Sequence, residues 1–141
     1  MTSLLYRLFK IGAIPAQFRP VLESEGVRLL EEGIPVIVTY RNLRSPRRLS
    51  SFRRMRQVGA LALTHQRILG TAFHQPILNL PWSEKRLQQV EWSLGGEGEL
   101  WAAFEAGLFR PEWSGRIEIA FRCTQASRAF TMIQYEMAQR R

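Results

Sequence analysis

Aspartate is absent from this sequence, cysteine occurs once, and lysine and histidine occur twice each. With Cys123 alone, an intrachain disulfide is impossible, which suits a reducing compartment. Without aspartate, many carboxylate chemistries lose their usual residue and every acidic group is a glutamate. His65 and His74 have neither helical spacing nor cysteine partners, so they do not compose a metal set. No run approaches the roughly 20 apolar residues a membrane-spanning helix needs. Arg7 and Lys10 interrupt the apolar N-terminal run, and no small-residue cleavage pattern follows, so secretion is not expected. The expected address is the cytoplasm.

A chain of 141 residues implies one domain, and 45% hydrophobic with 11% aromatic content is enough to build its core. The charge is concentrated in one place. Arginine supplies 18 of the 20 basic residues, and seven of them (Arg41, Arg44, Arg47, Arg48, Arg53, Arg54 and Arg56) fall in one stretch without an acid. Of the net charge of +8, only +1 belongs to the rest of the chain. A local charge of this kind points to a partner.

Apolar spacing predicts a short amphipathic helix over residues 3–12, with Leu4, Leu5, Leu8 and Phe9 on one face, followed by a connector from Pro15 to Pro20. Residues 21–32 suit either helix or strand. From Gly33 the period becomes two. Strands are expected from Val36 to Arg41, Val58 to Leu63, Arg67 to Phe73, Ile77 to Trp82, Gln88 to Leu94, Leu100 to Ala106 and Arg116 to Cys123. The arginine stretch reads as a loop around Ser45-Pro46, residues 107–115 as another, and Gly95 to Gly98 as a hairpin turn. Ala126, Ala129, Phe130, Ile133 and Met137 form the apolar stripe of a C-terminal helix over residues 124–139, capped by Thr124. Phe130 and Ile133 are expected to fill the mouth of a barrel.

The string from Gly59 to Leu69 (Gly-Ala-Leu-Ala-Leu-Thr-His-Gln-Arg-Ile-Leu) resembles the strand-turn-strand signature of bacterial pleckstrin-homology-like and GRAM-like domains. The element order from Ile34 to Gln139 is similar to theirs as well. The resemblance implies a mainly β fold, a bent seven-stranded antiparallel barrel capped by a C-terminal helix. It divides the chain into an N-terminal helical extension, residues 1–32, and the barrel with its helix, residues 33–141. A lipocalin-like barrel is the alternative, and the closing helix argues against it.

The same resemblance implies a binding module that is not an enzyme, with no cofactor. Some members hold phospholipid head groups with basic residues on the first two strands and the loop between them. Arg41 and Arg44 match the first-strand side, and Arg54-Met55-Arg56 matches the pattern entering the second. Guanidinium forks pair bidentately with phosphate oxygens, and Phe52 and Met55 could insert beside them. If the site is a shaped pocket, Arg41, Arg44 and Arg56 should matter more than Arg47, Arg48 and Arg53. The partner expected first is an anionic phospholipid surface, with the protein peripheral at the membrane. The reading without a partner, a solvated loop whose arginines pair with glutamates elsewhere, stands ahead of any single partner, and an acidic protein is the next partner after the lipid surface. Nucleic acid ranks last, because the stretch lacks a second aromatic for stacking. Cys123 reads as a small core residue, and no nucleophile–base pair or catalytic set is visible. Trp92 reads as core. Trp101, on the face of Glu105, is either a contact surface for a homo-oligomer or covered by the N-terminal helix.

Overall fold

The computed structural model describes residues 13–140; the helix expected over residues 3–12 lies outside them. Seven antiparallel strands follow in chain order: β1 Val27–Ser45, β2 Arg48–Thr64, β3 Arg67–Ala72, β4 Gln75–Pro81, β5 Glu91–Gly95, β6 Glu99–Glu105 and β7 Ser114–Arg122. Helix α1, Arg19–Glu25, precedes them, and α2, Ala126–Gln139, follows. The sheet runs in the order β4-β3-β2-β1-β7-β6-β5. The mainly β fold with a C-terminal helix is as expected. The sheet, however, is open: β4 and β5 are its edges, and hydrogen bonds do not close it into a barrel.

Alternation decides the inner face. Val36 and Val38 of β1, Leu61 and Leu63 of β2, and Ile119 and Phe121 of β7 all point into one core. Leu78 of β4 and Leu100 of β6 reach the same core from the two halves of the sheet, so its inner face wraps a common interior. Trp82 and Leu87 plug it, and the Trp82 indole N–H donates to the Thr64 carbonyl at 2.9 Å. Helix α2 seals one end with Ala126, Ala129, Ile133 and Met137. Phe130 packs against this core but is only half-buried; Ile133 is the residue driven fully inside.

Several local expectations give way. The segment from Pro15 to Pro20 is not a bare connector: a 3-10 turn, Ala16–Phe18, leads into α1. Pro20 fits the first turn of α1, where its missing N–H has no helical partner to lose. Ile14, Phe18 and Leu22 then cover Ala60, Ala62 and Leu69 on the outer face of β2 and β3. Gly26 ends the helix at φ 81°, and β1 begins at Val27, inside the expected N-terminal extension. Gly33, at φ 69°, is the extra residue of a bulge between Glu32 and Ile34 that bends the long strand. Pro35 is tolerated because β7 pairs with β1 only from Val36 onward, leaving its missing N–H on an unpaired side. The segment 107–115 holds part of a 3-10 turn, Ala106–Leu108, and the first residues of β7. Thr124 does not cap α2 by its own hydroxyl; Gln125 is the N-cap, and the cap groups come from Glu31 of β1.

The largest correction concerns the arginine stretch. It is not a loop. Only Pro46 and Arg47 make the turn, and the remaining residues form the paired ends of β1 and β2, from Arg41 opposite Phe52 to Ser45 opposite Arg48.

Candidate anion-binding end of the sheet

Directly paired residues of antiparallel strands share a face, so the register sorts the arginines. Arg56 lies opposite Ile37, Arg54 opposite Thr39, and Phe52 opposite Arg41, and β7 continues these rows with Ala120, Glu118 and Arg116. This is the outer face. Met55 opposite Val38 and Arg53 opposite Tyr40 belong to the inner face, whose rows continue into Ile119 and Ile117. Asn42, at φ 52°, leaves ordinary strand geometry just before Leu43, which is buried. Gly115, at φ 112°, sits against this kink. A Cβ there would stand 2.5 Å from the Asn42 carbonyl oxygen, so only glycine lets β7 approach.

All seven arginines are exposed. On the outer face, Arg41 donates from Nε to Glu118 at 2.9 Å, and Arg116 bridges Glu118 and Glu91 at 3.3 and 2.8 Å. Burial, the largest influence on the Glu118 carboxyl, pushes it up. Hydrogen bonds from Arg41 and Arg116 outweigh that, and the net shift is downward. Arg54 donates to the Thr39 hydroxyl at 3.2 Å. Arg41 and Arg54 lie 5.3 and 5.5 Å from the Phe52 ring centroid, one guanidinium from each strand.

The inner side of the hairpin is different. A hollow of about 330 Å³ is lined by Arg47, Arg48 and Arg53 together with Tyr40, Leu43, Ser45, Met55 and Trp113. Arg47, Arg48 and Arg53 thus line the hollow, whereas Arg41, Arg44 and Arg56, the residues expected to matter more, do not. Arg41 and Arg54 already have partners, Arg56 lies on the outer face, and Arg44 does not line the hollow. Among the described residues, no carboxylate lies within ion-pair distance of Arg44, Arg47, Arg48, Arg53 or Arg56. The reading in which the arginines pair with glutamates elsewhere therefore describes Arg41 alone.

Sequence reasoning missed Tyr40, Leu43, Ser45 and Trp113 as walls of this hollow. The signal for most of them was present. A two-residue turn at Pro46-Arg47 fixes the pairing of Ser45 with Arg48, and that register puts Tyr40 beside Arg53. Trp113 could not be found this way, since it arrives from the segment before β7.

Elsewhere the chemistry is quiet. Burial pushes the Cys123 thiol up to about 12, with the Glu31 charge adding to it, so it stays protonated at neutral pH. His65 and His74 are exposed. Among the described residues, no three histidine, cysteine or glutamate side chains gather as a metal site would need, and no helix is long and apolar enough to cross a membrane. Trp92 packs against the core, and Trp101 lies half-buried over Gly95. Compared with protein-family models the sequence matches none, and compared with curated proteins it likewise matches none.

Proposed function

We propose that this chain is a non-catalytic binding module of pleckstrin-homology-like architecture that docks on an anionic phospholipid surface through the β1–β2 hairpin. The observation that carries the reading is that, among the described residues, six of the seven arginines have no carboxylate partner, beside two apolar side chains that stay in water: Leu49 is 73% exposed and Phe52 51%. A solvated structural hairpin has no need of either feature. Together they fit a leaflet whose phosphates meet the guanidinium groups while Leu49 and Phe52 enter the headgroup region. The strand order with a helix against the core agrees with the architectural part of the proposal. The anionic leaflet available to a cytoplasmic protein would make it peripheral at the membrane.

Sedimentation with vesicles tests this. Vesicles containing phosphatidylserine should carry the protein down, and pure phosphatidylcholine vesicles should leave it in solution. Each arginine near an anionic leaflet contributes on the order of 1 kcal/mol, so reversing Arg47, Arg48 and Arg53 to glutamate should abolish binding. Absence of binding to acidic vesicles at low salt would refute the proposal.

It would also favour the alternative, an acidic protein partner or a second copy of the chain. One observation supports that reading specifically. From Arg48 to Gln57, β2 pairs with β1 on one side, and β3 joins its other side only from Gly59, leaving an edge where an extended segment could add.

A further inference from the structure

Toward the tip of the hairpin β2 ceases to be an interior strand. The last bond from the β3 side is the one in which the Phe73 N–H donates to the Val58 carbonyl at 2.8 Å, and the chain then turns away into β4. From Arg48 to Gln57, β2 pairs with β1 on one side, and among the described residues no strand pairs with it on the other. None of these residues is buried. The two outer edges of the sheet are blunted by comparison. β4 carries Pro76 and Pro81, which have no N–H to donate, and β5 is only five residues long and ends in Gly95. The β2 segment holds neither proline nor glycine and extends over about 30 Å, long enough to template another strand.

Its side chains decide which strand it accepts. Arg48, Arg53, Arg54 and Arg56 lie along it, no acid does, and among the described residues no carboxylate pairs with any of the four. A second copy added edge to edge would bring the same four arginines from each chain to one seam, and like charges across a strand pair destabilise it. The charge that repels a copy attracts carboxylates. Phe52, Arg54 and Arg56 belong to the outer face, and Arg53 and Met55 to the inner. Residues directly opposite in an antiparallel ladder share a face. An occupant reading acid, apolar, acid, acid, apolar would therefore set carboxylates against Arg56, Arg54 and Arg53, and apolar side chains against Met55 and Phe52.

We infer that the β2 edge from Arg48 to Gln57 takes up an extended acidic segment of a partner protein as an eighth strand of the sheet. The inference rests on the protein-partner alternative above, narrows it to one occupant, and is independent of the phospholipid reading.

Fluorescence anisotropy at low salt with the labelled peptide Thr-Thr-Glu-Val-Glu-Glu-Val-Thr-Thr tests it. The peptide should bind, and its counterpart with lysine for glutamate should not. Methylating alternate backbone nitrogens of the peptide removes donors without changing its charge. One alternate set should weaken binding at least about tenfold, since it removes several ladder hydrogen bonds of about 1 kcal/mol each, and the other set, facing away from β2, should bind like the parent. Hydrogen exchange of the protein should slow within residues 48–57 when the peptide is bound. Arg54→Glu combined with Arg56→Glu should lose the acidic peptide and take up the lysine peptide instead, a gain that an unfolded variant would not show. No binding of the parent peptide would overturn the inference. Equal binding of the two methylated sets would also overturn it while leaving charge attraction to an acidic partner standing. Vesicle sedimentation separates it from the phospholipid reading: peptide binding without vesicle docking upholds the edge and removes the lipid, and vesicle docking without peptide binding sinks this inference alone.

Discussion

Removing the Glu31 side chain should uncouple the C-terminal helix from the sheet. Glu31 stands on the inner side of β1 opposite Leu61 and is only 9% exposed. Its carboxylate accepts from the Thr124 N–H at 3.0 Å, the Thr124 hydroxyl at 2.9 Å and the Gln125 N–H at 2.9 Å. These are the two residues before the first turn of α2, so a negative charge from a distant strand performs the capping that a side chain at the N-cap normally supplies. A hydrogen bond to a charged group contributes about 1.5–3 kcal/mol, but desolvation of the carboxylate offsets part of the sum. For Glu31→Ala we expect a loss of about 3 kcal/mol, well above the roughly 1 kcal/mol typical of an ordinary cap. Glu31→Gln keeps one acceptor and turns an amide donor toward another donor, so it should lose about half as much. With a urea m-value near 2 kcal/mol per molar, the alanine variant's midpoint should fall by about 1.5 M at unchanged m. Thr124→Ala should then cost nothing further in the Glu31→Ala background, because its hydroxyl has lost its partner. A midpoint shift under about 0.25 M, corresponding to some 0.5 kcal/mol, would mean that water or the helix itself meets those N–H groups and the strand does not hold the helix.

Other expectations follow from the same structure. Ile133→Ala should destabilise by about 2–5 kcal/mol and by more than Phe130→Ala, despite the larger ring, since Ile133 is 0% exposed and Phe130 is half-buried; equal denaturation midpoints would contradict the packing. The Arg67 guanidinium, and then the Thr64 hydroxyl, hold the Glu25 carboxyl below the usual range despite its burial. The stabilisation is therefore present above about pH 4.3 and is lost as pH falls through the lower folded value, so Glu25→Gln should flatten the acid side of the stability–pH curve. Urea titrations at pH 7 and pH 3 that show the same loss for both proteins would refute this. Gly115→Ala, forced to φ 112° with its Cβ against the Asn42 and Arg41 carbonyls, should cost on the order of 1–3 kcal/mol and weaken vesicle binding by shifting the hairpin; an unchanged melting temperature would mean the strand yields freely. In native protein Cys123 should resist a thiol reagent that modifies it readily in urea, and rapid labelling without denaturant would contradict its burial.

Legibility in the sequence followed burial. Ile119 and Phe121, or Ala126, Ala129 and Ile133, contrast with polar neighbours because one side faces the core, and both the strand and the helix could be read from that contrast. The hairpin from Arg41 to Arg56 offered no contrast. It runs beyond the core, so polar side chains stand on both faces, and the periodicity that betrays a strand is absent although the ladder of backbone pairs is continuous. The capping by Glu31 was invisible for another reason: its partners lie 93 and 94 residues away, and only the assembled sheet brings them together.

The site divides along the same line. That the arginine stretch would be the dominant electrostatic feature follows from its composition alone. Which arginines share a chamber does not, because parity alone separates Arg53 from Arg54, and parity requires a register. Of the residues the resemblance pointed to, Arg41, Arg44, Arg54 and Arg56, all but Arg44 alternate onto the outer face with Glu118. There Arg41 meets Glu118, whose own depressed carboxyl is the product of two guanidinium neighbours. An acid on β7 thus neutralises one of the cations the resemblance pointed to, while no acid on β7 faces the inner side of the hairpin, where Ile117 and Ile119 occupy the equivalent rows. The charge asymmetry between the two faces is set by the alternation of a single strand, Arg116-Ile117-Glu118-Ile119. It is this alternation that leaves the inner side of the hairpin without an acid from β7.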